Sequence, residues 1–354
     1  MYSSRKHKYN AAKKSLSQRL WNSIGISTTT VVKVYRGYGH DGQLQLFGHV
    51  LTRSPAPEAR SRGNVWLHIW SLLRLFMVQP KPNAAVQLEW QGKIISARTA
   101  DDGFFHFQWQ PEYPTAAGWH PVTVTHVQQS AIIATGYGEL YIPHRTQYGC
   151  ISDIDDTFLI SHSSHLYKKL YVLLTHNASS RKPFEGVVHH YQLLSHGHTT
   201  PAFPNPFFYV SSSEWNLYDY IREFADAWQL PQGVYLLNQL KRFTQLVNTG
   251  QGKHNTKFTR IARILESYPH MPFVLLGDDT QQDPYIYEAI ARHFPQRILC
   301  VYLRHVSHKN KAAVEAAVGN LQALDIACCY FQHSAEAITH SRQVGLIPPL
   351  LPSS

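Results

Sequence analysis

Cysteine is scarce in this chain of 354 residues: there are four, Cys150, Cys300, Cys328 and Cys329, all in apolar contexts. Two of them are adjacent, which is no metal-ligand spacing, and the set reads as reduced core thiols of a cytoplasmic protein. Long hydrophobic runs are missing too, and none reaches the length of a membrane span. Residues 1–20 are basic but hold no apolar stretch of the kind a secretory signal needs. Acidic residues are the scarcer sign, 23 against 33 basic ones, for a net charge of +10. That excess favours anionic partners: nucleic acid, an acidic membrane surface or a phosphorylated substrate. Nucleic acid has only charge in its favour, because zinc-finger spacing, basic-region heptads and an RNA-binding sheet signature are all absent. No nucleic-acid partner is expected. Also absent are the Gly-x-x-x-x-Gly-Lys-Ser/Thr phosphate loop and the Gly-x-Ser-x-Gly nucleophile elbow. The 22 histidines are scattered, and His189, His190, His196 and His198 lack a partner cluster that would make them ligands.

What is present divides into two expected domains. Residues 1–30 form a basic arm with Leu16, Leu20, Trp21 and Ile24 at helical spacing. It either lies on anionic lipid or packs its few apolar residues on the next domain. From 31 to 143, short β-type runs alternate with turn signals such as Asp101-Asp102-Gly103. The runs are 31–35, 43–51, 85–90, 93–97, 104–109, 121–127 and 131–134. The glycine-rich stretch 37–42 reads as the connection between the first two. Asn64 is placed to cap a helix over 65–78. Regularly spaced short strands predict an all-β, sandwich-like domain. No catalytic constellation is visible there, so the expected role is binding or scaffolding.

From 144 to 347 the pattern alternates strand with helix, and 348–354 is a tail. Strands are expected at 148–154, 207–210, 273–276 and 298–303. Helices are expected near 165–174, 184–195, 215–229, 257–268, 285–294, 311–323 and 334–344. Apolar strands separated by helices predict an α/β fold with a parallel, Rossmann-like sheet. Ligands of such sheets sit beyond the carboxyl ends of the strands. Three of those ends carry reactive chemistry: Asp153 with Asp155, Ser211, and Asp278 with Asp279 and Asp283. Carboxylates gathered at an apolar strand end make a metal site the simplest reading, with Mg²⁺ as the cation. An EF-hand loop beginning at Asp153 is excluded by Phe158 at its sixth position and Ser164 at its twelfth.

These residue types suit attack on a phosphate monoester. Asp153 is the candidate nucleophile and Asp155 the candidate acid and base. Asp278, with Asp279 or Asp283, completes the metal site. Ser211 is placed to donate to the phosphoryl oxygens, and Lys257, at a helix start, to neutralise them.

Asp153-Ile154-Asp155-Asp156-Thr157 resembles the first motif of haloacid-dehalogenase-like phosphatases. Tyr209-Val210-Ser211, Lys257, and Gly277-Asp278 with Asp283 resemble the other three, in order and spacing. More narrowly, 151–157, 181–187, 209–218 and 273–287 resemble the actin-patch-protein type of phosphatidate phosphatase, distantly similar to the lipin catalytic domain. The likeness covers about 145–345. Tyr35-Arg36-Gly37-Tyr38-Gly39 and Phe47-Gly48-His49-Val50 resemble bacterial members more loosely. The resemblance implies a haloacid-dehalogenase-like fold and Mg²⁺-dependent conversion of phosphatidate to diacylglycerol through an aspartyl-phosphate. It implies metal ligation by Asp153, Asp155, Asp278 and Asp279 or Asp283. It also implies substrate contacts from Thr157, Ser211 and Ser212. Arg181, with Lys182, binds a lipid headgroup or is a solvated loop residue. The partner expected is phospholipid at an anionic membrane surface, approached peripherally from the cytoplasm. Two departures stand out: Gly277-Asp278-Asp279-Thr280 replaces Gly-Asp-Ser-Gly, and Thr256 precedes Lys257 where relatives often have His. Two alternatives stay open. One is a phosphatase for a soluble phosphomonoester. The other is a lipid- or protein-binding module with secondary or absent catalysis.

Overall fold

The computed structural model describes residues 29–53, 79–144, 148–154, 184–238, 253–280, 282–306 and 311–349. The N-terminal arm to residue 28, the helix expected over 65–78, the helix expected near 165–174, and Asp155, Thr157 and Arg181 lie outside those residues.

The described residues of the first part form strands and their connections, with no helix among them. Its strands are β1 (Thr29–Val34), β2 (Gly37–His40), β3 (Gln43–Arg53), β4 (Gln79–Pro80), β5 (Ala85–Trp90), β6 (Lys93–Arg98), β7 (Phe104–Trp109), β8 (Gly118–Gln128) and β9 (Ala131–Ile142). Alternation decides their faces: along β5, Val86 and Leu88 are buried while Glu89 is exposed. Inward residues of β3, β5, β7, β8 and β9 meet in one core, including Leu46, Val86, Phe107, Val124 and Leu140. The sheet therefore folds over on itself, as the short-strand pattern predicts. It differs from two separate layers because hydrogen bonding is continuous through nine strands, with β3 pairing with β1, β2, β4 and β7. The stretch expected as a glycine-rich connection supplies β2. A Cβ at Gly37 would stand 2.4 Å from the Gln45 carbonyl oxygen, so only glycine lets β2 lie this close to β3.

The second part is a six-stranded sheet of β10 (Gly149–Asp153), β11 (Phe207–Glu214), β12 (Gly233–Asn238), β13 (Phe273–Asp278), β14 (Ile298–Arg304) and β15 (Ala327–Phe331). Its order is β12-β11-β10-β13-β14-β15, and every pair is parallel. The described helices are α1 (Val187–Ser195), α2 (Tyr218–Ala227), α3 (Lys253–Ser267), α4 (Asp283–His293), α5 (Lys311–Gln322) and α6 (Ser334–Gln343). β10, between β11 and β13, is buried at every residue. Its register aligns Asp153 with Val210 and Ser152 with Leu276. Asp153, Ser211 and Asp278 therefore emerge at one carboxyl edge, as the strand-end reading requires.

An aromatic seam joins the two parts. Tyr35 stacks on Trp215 at 4.3 Å between centroids, and Phe47 lies 5.4 Å from the same ring. Tyr38 meets Phe208 and Tyr268. The backbone N–H of Arg36 donates to the Tyr218 hydroxyl at 3.0 Å, and Lys33 pairs with Asp219. The seam has a direction: Lys33 and Tyr35 face groups just past the carboxyl end of β11, whereas Tyr38 faces its beginning. β9 runs alongside β1, with Gly136 against Val32 and Gly138 against Val34, and then leads toward the amino end of β10.

Candidate active site

Asp153 closes β10, Asp278 closes β13 and Asp283 opens α4. Carboxylate oxygens from these three residues lie within 4.8 Å of one another, and all three residues are fully buried. Lys257, buried in α3, donates from Nζ to Asp153 Oδ1 at 2.7 Å and also to Asp283. Burial opposes the charge of this amine, but Asp153 and Asp283 outweigh it and hold its proton more tightly than usual. Burial pushes the Asp278 carboxyl up to about 7, and the Asp283 charge adds to the rise. Thr280 works against it, its N–H and hydroxyl both donating to Asp278 Oδ1 at 2.6 Å.

Among the described residues three buried carboxylates face the Lys257 ammonium, with the Arg304 guanidinium also acting on Asp278, a local excess of negative charge where the dielectric is low. A hard divalent cation relieves that excess, and an all-oxygen donor set without thiolate or imidazole suits Mg²⁺. Close packing holds the trio in place. A Cβ on Gly277 would meet Asp283 Oδ2 at 2.6 Å and the Tyr287 ring at 2.8 Å. Tyr287 is tied by its hydroxyl to the Leu276 carbonyl at 2.8 Å.

Asp279 stands apart. It is buried, but its carboxylate takes hydrogen bonds from the Val306 N–H at 2.9 Å and the Tyr330 hydroxyl at 2.7 Å, and pairs with His305. Asp279 follows the end of β13, and its carboxylate lies outside the group formed by Asp153, Asp278 and Asp283. Ser211 is buried and Ser212 half-buried at the end of β11. Ser211 Oγ accepts the Ser213 N–H at 2.9 Å, in the stretch where the pairing of β11 with β12 shifts register.

The structure thus brings Asp153, Lys257, Asp278 and Asp283 together and sets Ser211 and Ser212 on the neighbouring strand end. Four supporting residues were not among the candidate site residues read from the sequence. Arg260 donates to the Ser211 carbonyl at 3.0 Å and to Asn238 Oδ1 at 3.1 Å, joining β11 to β12. Its spacing from Lys257, one helical turn, was the available signal. Tyr191 shares a hydrogen bond with Ser152 Oγ at 2.8 Å, behind the Asp153 strand. Thr280 and Tyr287 complete the set.

Residues 148–305 match the family described as the catalytic domain of phosphatidate phosphatase APP1. The likeness read from the motifs is borne out over that segment. The chain is 30% identical over 166 residues to phosphatidate phosphatase APP1 of Saccharomyces cerevisiae, a match covering 45% of this chain and 26% of that protein. It is 24% identical over 187 residues to the uncharacterized protein C29B5.04c of Schizosaccharomyces pombe, covering 52% of this chain and 29% of that one. The chain therefore spans little more than a quarter of the length of these curated relatives. A carbohydrate acetylesterase from Xanthomonas citri aligns over 90% of this chain and 75% of its own, at 9% identity and a TM-score of 0.32, too low to support any inference. Among the described residues no helix is long and apolar enough to cross a membrane.

Proposed function

We propose, from the premise that residues 148–305 carry an APP1-type phosphatidate phosphatase catalytic domain, that this protein removes phosphate from phosphatidate to leave diacylglycerol. One observation carries the chemistry: Asp153, Asp278 and Asp283 converge in a buried cluster with the Lys257 amine on Asp153. Asp153 attacks phosphorus, forming an aspartyl-phosphate as the P–O bond to the glycerol oxygen breaks. Asp155 protonates the leaving oxygen and then takes a proton from the water that releases phosphate. Lys257 holds the Asp153 carboxylate by its ammonium and offers positive charge to the phosphoryl group. Ser211, Ser212 and Thr157 donate to the equatorial oxygens, and Arg181 meets the headgroup. Asp153, Asp155, Asp278 and Asp283 would hold Mg²⁺, which would supply positive charge against the phosphoryl oxygens. Asp279, engaged with His305 and Tyr330, acts from outside this ligand set. The catalytic half is a haloacid-dehalogenase-like fold, and the protein works peripherally at a cytoplasmic membrane surface.

The test is phosphate release from phosphatidate in detergent micelles, with and without Mg²⁺, for wild type and Asp153→Asn. Metal-dependent release that the variant loses by a thousandfold or more, on the order expected for a missing nucleophile, supports the reading. Release from p-nitrophenyl phosphate alone keeps the chemistry and removes the lipid. No release from either by folded protein favours a binding module.

A further inference from the structure

The hairpin joining β8 to β9 has a construction that the chemistry above does not use. Its loop is only Gln129 and Ser130, because Gln128 pairs directly with Ala131. Both loop residues are left-handed, with φ of 48° and 65°, where Asn-Gly is the usual choice. Just beyond, the pairing shifts: His126 faces Ala134, but Val127 faces Ile132, leaving Ile133 as an extra residue on β9. Such a bulge re-aims side chains. Here it turns two consecutive isoleucines outward, Ile132 at 66% exposure and Ile133 at 45%. Tyr137, further along β9, is 78% exposed. From 127 to 138 there is no charged residue. One exposed isoleucine is ordinary on a soluble protein; two adjacent ones on a tight, neutral tip ask for a partner.

The tip's position names that partner. The seam fixes β1 so that its Lys33 end lies toward the carboxylate edge and Tyr38 lies toward the opposite one. β9 runs alongside β1, so its hairpin end projects on the carboxylate side. Arg98 stands level with Ile132 in one cross-strand row, Arg98 to Ala85 to Val127 to Ile132. Lys81 reaches Thr30 at the same end of the sheet. A guanidinium level with an apolar tip matches a lipid phosphate above acyl chains. Asp101 and Asp102 sit in the neighbouring turn, so apolar insertion rather than local charge has to supply most of the affinity.

We propose that the β8–β9 hairpin inserts Ile132 and Ile133 into the interface of an anionic phospholipid bilayer and so brings the carboxylate edge down to that surface. The choice of bilayer as partner rests on the phosphatidate reading. The experiment separates the two. Full-length wild type, Ile132→Glu/Ile133→Glu and Ile132→Leu/Ile133→Leu are floated with phosphatidylcholine vesicles containing phosphatidate. Turnover is measured on the same vesicles, on phosphatidate in detergent micelles and on p-nitrophenyl phosphate. The glutamate pair is expected to lower vesicle binding and vesicle turnover roughly tenfold or more. It should leave p-nitrophenyl phosphate turnover unchanged, which also certifies folding, while the leucine pair behaves as wild type. Vesicle binding by the glutamate pair equal to wild type, or no binding by wild type, overturns the proposal. Tip-dependent vesicle binding by a protein that hydrolyses only the soluble ester upholds the hairpin and removes the substrate. Micellar phosphatidate turnover without tip-dependent binding does the reverse.

Discussion

Gly277 limits how tightly the carboxylates can gather. Alanine there would place a carbon 2.6 Å from Asp283 Oδ2, and Tyr287 blocks retreat on the other side. Gly277→Ala is expected to lower turnover by roughly a hundredfold, the scale of a 1 Å misplacement, with phosphate release as the measurement. Asp278 supports a test by metal removal. Its carboxyl is pushed up to about 7 by burial and by Asp283, so the metal-free fold holds a repulsion that Mg²⁺ would relieve. Mg²⁺ at a hundred times its Kd should stabilise wild type by about 2.7 kcal/mol. Asp278→Asn should lose that gain yet be the more stable protein in EDTA, which thermal melts will show. His49 supplies a pH dependence unconnected with the metal. Burial lowers it to about 3, helped by Lys33. The unfolded chain, with an ordinary histidine near 6.5, binds more protons between those values. Its contribution to stability is therefore whole above pH 6.5 and falls as pH drops toward 3, by up to about 1.4 kcal/mol per unit. The difference between denaturation midpoints at pH 7 and 5 should narrow in His49→Gln, with buried His190, lowered likewise to about 3, keeping part of it.

At the scale of elements, the runs that could be read were those with one unambiguous period. β10, β11, β13 and β14 are buried at most positions and read as apolar runs; β5 and β7 read by alternation. β12 and β15 were not legible. Gly233 and the preceding Pro231 look like a turn, and Ala327-Cys328-Cys329-Tyr330 is only half-buried in an edge strand, where apolar patterning weakens. β2 hid behind glycines whose purpose is close approach to β3. For the site, the motif positions were legible as strand ends, but Asp279 and Asp283 could not be separated. Their difference lies in position and partners: Asp283 opens α4 beside Asp153 and Asp278, whereas Asp279, just past β13, meets His305 and Tyr330. Trp215 is the element-scale test. It links the serine-bearing strand end to Tyr35 and Phe47 across the seam. Trp215→Ala should cost about 3–5 kcal/mol, as large core truncations do. Urea denaturation should then resolve separate transitions for the two parts.

For the whole molecule, charge and placement act together. On the proposed reading, a net charge of +10 would attract the chain to anionic lipid over about a Debye length, roughly 8 Å at physiological salt. Raising salt from 50 to 500 mM should therefore reduce turnover on phosphatidate vesicles several-fold while sparing p-nitrophenyl phosphate. Equal salt response of both substrates would remove surface attraction from the account.

The central place of β10 also dictates when the site can exist. Ser152 and Asp153 find their partners on β11 and β13, and Ser152 lies opposite Leu276, far later in the chain. On the ribosome the strand that carries Asp153 is made early and waits, with one edge unpaired, until β13 has emerged. A nascent chain halted before Phe273 would hold neither Asp278 nor Asp283 and would present β10 as a sticky, unfinished edge. Synthesis rate and chaperone supply should therefore govern the yield of active protein more than its final stability does.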